Sequence, residues 1–535
     1  MGRRKKGQED NIPIRSQLTE WFWGVGVILV SLVILYPMRD IFLGLNDEGV
    51  LPTGASWMIR GQIIYKDFFE FQVPFPFFLT AGAFAVFGES MEVVRALGLL
   101  IGVLCSVLSY FHARMLGISR LISLFPPLFL LWAGPPLYLT YHWLALAFFL
   151  SGLLLILRMG SQRFGPITVF FCGLFVGIEF LTVQTKGAAL GIVFITALVA
   201  AQILRNRARI FSGIFGTLLI PCLFSLYFLY HGSFGQMLYD TIVWPIEGYA
   251  DFNRYPGYYF AGRAQIVSFY HSGQWFDLLN LIVLGYLSPA AMFVCVGVLL
   301  WMIWRKAQIR GPLFVKAMSI LAGCLIFTSV LYRSDVVHLV QISPLLTSAL
   351  CLLFTGGIVP MNRLINIAGR IFLVFLLVLS AYGNLRNLTI TKMRYVNAVH
   401  FPKGTLRVIS AEEAKDLQEA VEYVSSRTSE GDPVFIYHYS PLLYMLLGRT
   451  NPTRYDIIIP GYCTPNQLTD ALKDLQGIRP PVILKDNFSE FFQKEGLIYF
   501  PLADRSSFAN DPIQAFVSKE YRMVQRGYIS IYTLQ

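Results

Sequence analysis

Asn46-Asp47-Glu48-Gly49 stands just past the first apolar stretch of a chain that otherwise keeps its charges out of its apolar segments. An acidic pair at a membrane edge is costly to desolvate, which makes this loop the first place to look for chemistry. A carboxylate within hydrogen-bond reach of a hydroxyl can take its proton as the oxygen attacks, and nearby cations can balance the charge of an anionic leaving group. Asp47 is the candidate base; Glu48 divides between orienting an acceptor and pairing with a local arginine. Arg95, Lys186 and Arg333 are the candidate cations, each expected at the end of an apolar span. The plainer alternatives stand beside these: Asp47 and Glu48 as helix caps or loop solvation, and the cations as snorkelling interfacial side chains. Lys66 and Asp67 sit in a turn-like stretch, where Asp67 either contributes to a site or caps a helix beginning near Phe68. His338 either donates to a substrate oxygen or is a satisfied histidine at a helix end.

The elements that must position these residues are mostly apolar helices. The chain has 535 residues, 55% hydrophobic and 14% charged, with mean hydropathy +0.57, more apolar than one soluble core of this length needs. A helix crossing a bilayer core needs about 20 apolar residues, and eleven such runs occur, at 21–43, 96–113, 121–138, 143–158, 165–183, 188–204, 210–230, 278–303, 314–332, 337–358 and 369–385. A further run, 73–87, is short and proline-containing and is expected to lie along the surface as a juxtamembrane helix. The run 21–43 is too long for a signal-peptide core and has no cleavage site after it, so it reads as an uncleaved first span behind a basic cytoplasmic tail, 1–20.

Loop charge sets the sidedness, because cytoplasmic loops are rich in Lys and Arg. With 73–87 on the surface, the inside loops carry Arg114 and Arg120; Arg158 and Arg163; Arg205, Arg207 and Arg209; Arg305, Lys306 and Arg310; Arg363 and Arg370. The outer side then receives the loop 44–95, the turns near Tyr141 and Lys186, an aromatic loop 231–277, the turn Arg333 to His338, and the tail 386–535. The net charge of +11 is spread through the inside loops, which removes the case for a nucleic-acid partner. Loop 231–277, with Trp244, Tyr249, Tyr255, Tyr258, Tyr259, Tyr270 and Trp275, suits a surface half-sunk in headgroups.

The tail reads as a small α/β domain. Ser410 with Glu413, and Thr464 with Pro465 and Gln467, open helices, while 434–437 and 481–485 have strand character, and 521–534 reads as a hairpin. Alternating strands and helices favour a largely parallel sheet. Six of the seven Cys lie in apolar segments and Cys463 is alone in the tail, which excludes a disulfide framework or a Cys-based zinc site there. No phosphate-cradling glycine loop, internal repeat or metal-spaced His cluster occurs.

The order Asn46-Asp47-Glu48-Gly49, Gly54-Ala55, Arg60-Gly61, Tyr65-Lys66-Asp67-Phe68-Phe69, Pro74, Phe87-Gly88 and Arg95 resembles the first outer loop of the glycosyltransferase C superfamily. Within it, the pattern is similar to bacterial enzymes related to protein O-mannosyltransferases and lipid A aminoarabinose transferases. Matches follow at Gly177 to Lys186 and at Arg333-Ser334-Asp335 with His338 and Pro344. The resemblance implies a sugar moved from a polyprenyl-phosphate carrier to a hydroxyl, with inversion, at the outer face of a bacterial cytoplasmic membrane. On that reading the substrates are a polyprenyl-phosphate-linked sugar and a glycan, lipid or protein acceptor. Asp47 and Glu48 are then the catalytic candidates, and Lys66, Asp67, Arg95, Lys186, Arg333, Asp335 and His338 the substrate-binding ones.

Two departures narrow the expectation. Relatives often place a Lys just before the juxtamembrane prolines, where this chain has Glu70-Phe71-Gln72-Val73-Pro74. They also carry a second outer carboxylate where this chain has Thr140-Tyr141-His142-Trp143, and no Asp or Glu occurs between Glu92 and Glu179. No metal or other cofactor is therefore expected, since Arg and Lys can balance a monophosphate. The expected architecture is an all-α polytopic membrane domain, 21–385, with a C-terminal extracytoplasmic α/β domain, 386–535. Two rival readings remain. A lipid-linked sugar flippase would need ionisable residues along a path through the bilayer, and the spans hold few besides Glu179. A non-catalytic envelope-assembly protein would keep full function without Asp47.

Overall fold

The computed structural model describes residues 14–42, 44–134, 139–159, 165–200, 206–305, 309–358 and 362–535. The basic residues Arg3, Arg4, Lys5 and Lys6 and the loop residues Arg163, Arg205 and Lys306 lie outside them. Among the described residues six helices are long and apolar enough to cross a membrane: Thr19–Met38, Met91–Met115, Tyr141–Arg158, Arg207–Tyr230, Trp275–Trp304 and Arg363–Arg394. Shorter apolar helices run over Phe75–Phe87, Ile122–Ala133, Pro166–Phe180, Gln184–Ala200, Pro312–Thr328 and Ser343–Phe354. Phe75–Phe87 falls in the run expected to lie along the surface; the other five overlap runs expected to span but, at 10–17 residues, are shorter than the about 20 expected of a crossing. The chain is a multi-pass membrane protein. Its last long helix continues unbroken past the expected boundary at 385 to Arg394.

Local chemistry starts and spaces these helices. Ser90, Asn206 and Asn362 cap theirs by accepting from backbone N–H groups, and Pro166 and Pro312 open theirs at the first position. Gly173, Gly177 and Gly216 let helices Pro166–Phe180 and Arg207–Tyr230 meet backbone to backbone, since a Cβ at any of them would overlap a carbonyl oxygen of the opposing helix. Helix Met91–Met115 carries Arg95 at its start and Arg114 at its end. Arg114 and Arg120 both donate to Glu20, at 2.8 Å, so this basic cluster closes one end of the bundle. The Asp47 loop lies at the other end.

The tail holds two sheets. Strands β1 (Asn397–Phe401) and β2 (Gly404–Val408) form an antiparallel ribbon. Strands β3 (Phe435–Tyr437), β4 (Val482–Asp486), β5 (Tyr521–Gln525) and β6 (Ile529–Leu534) form a sheet in the order β3-β4-β6-β5. Only β3 and β4 pair in parallel, so the expected largely parallel sheet is corrected. One helical crossover, through Pro465–Ile478, joins β3 to β4, whereas β5 and β6 are the expected hairpin, antiparallel to each other, and β6 also pairs antiparallel with β4. The Thr464–Gln467 capping box and the Ser410 cap both form.

The tail is bonded to the bundle rather than tethered beside it. Met91 N donates to Lys403 O at 2.8 Å, Phe42 N to Arg407 O at 2.7 Å and Leu442 N to Leu45 O at 3.1 Å. One apolar core joins Phe42 and Leu51 to Val399, Leu442 and Ile531. The expected aromatic loop 231–277 is also corrected: it is largely helical, with Phe260–His271 its longest helix. Trp244, Tyr255 and Tyr259 are buried, and Trp244 packs on Tyr462 of the tail. Tyr270 and Trp275 are exposed as a headgroup surface would be, as are Tyr239, Ile242 and Ile246 nearer the start of the segment.

Candidate active site

Asp47 is the first residue of helix Asp47–Ile59, where a negative charge meets the positive end of the helix dipole. Successive helical residues point about 100° apart, and that rotation divides the acidic pair. Asp47 is exposed into a cavity of about 520 Å³ between bundle and tail. Glu48 turns inward, buried, and forms an ion pair with the buried Arg95. Arg95 also donates to Ile41 O at 2.7 Å. Neither Glu48 nor Arg95 lines the cavity. Of the two readings of Glu48, the pairing with a local arginine is the one that forms, and the pair holds the base of the Asp47 loop against the bundle.

Arg333, Asp335 and His338 line the same cavity as Asp47. Asp335 caps the short helix Val336–Val340, accepting from His338 N at 3.0 Å. It also accepts from Arg333 Nε at 3.2 Å and contacts His338 Nδ1 at 2.7 Å. Burial alone would raise the Asp335 carboxyl, but His338 and Arg333 outweigh it and hold it below the usual carboxylate range. The Arg333 guanidinium donates to Asn253 and lies over the rings of Phe500, at 5.0 Å, and Tyr255, at 5.4 Å. With Asp335 on Nδ1, His338 has Nε2 left for the cavity. Asp335 thus orients a cation and an imidazole, a chemistry suited to an anionic ligand oxygen.

The other expected site residues fall elsewhere. Lys66 and Asp67 are exposed in a turn, and Asp67 accepts from Ile63 N at 2.7 Å. It caps that turn and no helix at Phe68, because the chain stays irregular until Phe75. Asp67 faces a second cavity of about 270 Å³ with Trp57, Asn451 and Asp456. Lys186 lies in the first turn of helix Gln184–Ala200, buried with Glu179, and neither charged group has a hydrogen-bond partner among the described residues. Lys186 does not line the Asp47 cavity.

Three cavity groups were not singled out from sequence. His142, in the segment that replaces the relatives' second carboxylate, sets its ring 5.3 Å from that of His338. The Tyr439 hydroxyl donates to Asp47 Oδ1. Asp486 accepts from Tyr439 N at 2.7 Å and from Ser440 Oγ at 2.8 Å. Tyr439 and Asp486 stand at the carboxyl ends of the parallel strands β3 and β4, where open sheets gather ligands. That rule was the one sequence signal available for them.

The chain superposes on the crystal structure of ArnT from Cupriavidus metallidurans in the apo state with TM-score 0.57 at 13% identity, over 96% of this chain and 98% of that one. On the same protein bound to undecaprenyl phosphate the TM-score is 0.54 at 12% identity, over 97% and 98%. No family model and no curated protein matches the sequence. The likeness is one of fold and runs from end to end of both chains.

Proposed function

We propose, from a chain that shares the ArnT fold along its whole length, that this protein is an integral membrane glycosyltransferase. It moves a sugar from a polyprenyl-phosphate carrier to a hydroxyl of an envelope glycan, lipid or protein, with inversion, on the outer face of the membrane. The observation that carries the reading is one cavity with Asp47 exposed on one wall and Arg333 with His338 on another. Asp47 takes the acceptor's hydroxyl proton as that oxygen bonds to the anomeric carbon. The bond from that carbon to the phosphate oxygen breaks with its electron pair going to the phosphate. Arg333, oriented by Asp335 and Asn253, holds the phosphate and balances the charge it gains, and His338 donates to it through Nε2.

The overlay on a structure holding undecaprenyl phosphate supports the class of carrier. No metal enters this scheme, so chelation with EDTA leaves turnover unchanged. The direct test incubates purified protein with radiolabelled polyprenyl-phosphate sugars and native membranes. Label passing from one donor into a membrane component is the expected result, and no transfer from any donor in the panel contradicts the reading.

A further inference from the structure

The tail reaches the proposed base through a single side chain. Tyr439 belongs to the tail, yet its hydroxyl bonds to Asp47 Oδ1 across 392 residues of sequence. The segment that carries it is fastened on both sides. Toward the tail sheet, Asp486 accepts from Tyr439 N and Ser440 Oγ, contacts His438 Nδ1 at 3.2 Å, and accepts from Phe488 N at 3.1 Å. Toward the bundle, Thr53 Oγ1 donates to Pro441 O at 2.8 Å and Leu442 N to Leu45 O at 3.1 Å. The Tyr439 ring meets Phe488 edge-on at 5.6 Å. A hydroxyl held this way has few positions open to it, and it is what anchors the otherwise exposed Asp47 side chain.

We propose that Tyr439 is a positioning residue for Asp47, and that the tail domain thereby completes the active site. This rests on Asp47 being the general base. Donation to Oδ1 fixes the carboxylate and leaves Oδ2 directed at the cavity, where the acceptor hydroxyl must lie. Burial and the Asp47 charge both push the Tyr439 phenol well above its usual range, so it stays protonated and donates at any working pH. The neighbouring charged or titratable groups include Tyr462 and Tyr249 on the cavity wall, Asp486 at the Tyr439 backbone, Arg333 beyond them, and the Glu48–Arg95 pair behind the helix. Tyr439 is the tail residue whose hydroxyl bonds to Asp47.

The test is Tyr439→Phe in the full-length protein, assayed with the polyprenyl-phosphate sugar that supports wild-type turnover and native membranes as acceptor. Phe keeps the ring contact with Phe488, and thermal melting checks that the fold is retained. Losing one hydrogen bond to a charged group should lower kcat by about 10- to 10²-fold with donor KM and polyprenyl-monophosphate binding unchanged. In an Asp47→Asn background the same substitution should do nothing further. Wild-type kcat in Tyr439→Phe, an equal loss in the Asp47→Asn background, or loss of monophosphate binding overturns the assignment. Should Tyr439→Phe not fold, Ser440→Ala carries the test. It loosens the segment at Asp486 without touching the phenol, and kcat must fall while donor KM holds. If Asp47→Asn alone retains full activity, the general-base reading fails, which is distinct from Tyr439 failing.

Discussion

Arg333 and Arg95 are the same residue type at similar places in the sequence pattern, and the structure sets them to different work. Arg333 keeps its guanidinium at the cavity, stacked on Phe500 and paired with Asp335, while Arg95 is buried against Glu48. Arg333→Ala should therefore weaken donor use by about 1.5–3 kcal/mol per lost charge-assisted bond with the fold intact. Arg95→Ala should take from the buried Glu48 the cation it is paired with and destabilise the chain by about 3–5 kcal/mol. Donor kinetics and thermal melting separate the two, and wild-type donor kinetics in Arg333→Ala would return that residue to a structural role. Asp47, Arg333, Asp335 and His338 were legible because polar residues bounding apolar spans are costly and stand out. What sequence left open was whether Glu48 joins Asp47 at the cavity or pairs with an arginine, because that depends on helix rotation against neighbouring elements.

The Asp47 helix and the loop after it carry the next tests. Gly49 packs on the Leu442 backbone, where a Cβ would overlap the Leu442 nitrogen. Gly49→Ala should push the tail segment off the helix and lower turnover at least tenfold, by the same loss of Tyr439 contact; unchanged turnover would show that this close approach is not needed. Glu70 is buried and accepts from Phe71 N and Gln72 N, at 2.9 and 3.0 Å. Burial pushes its carboxyl up to about 8 from an ordinary 4.5. Between those values the folded chain holds a proton that the unfolded chain has released, so stability falls as pH rises. Glu70→Gln should melt with the wild type near pH 4.5 and increasingly above it toward pH 8; a constant difference across that range would contradict the buried protonated carboxyl. The positions of the apolar helices and the Ser410 and Thr464 caps of the tail were read well because period and composition are local signals. The sheet order and the burial of Trp244 were not, since both are set by contacts between distant segments.

Across the whole molecule, the Glu20, Arg114 and Arg120 cluster and the Asp47 cavity occupy opposite ends of the bundle. If the basic end is cytoplasmic, the tail and the cavity are outside. A carboxy-terminal alkaline phosphatase fusion should then be active and a green fluorescent fusion dark, and the reverse pattern would turn the molecule over. The sequence divides bundle from tail near 385, but the folded chain has a helix through that point and one core beneath both. Composition marks where apolar spans stop, and says nothing of whether the polar part that follows docks back onto them.

The central claim is proton abstraction by Asp47, and Asp47→Asn tests it most directly. The amide keeps the shape of the side chain and can still accept from Tyr439, while losing its basicity. Single-turnover transfer should slow by about 10² to 10⁴ with melting temperature and polyprenyl-monophosphate binding unchanged. Transfer at the wild-type rate would contradict the account.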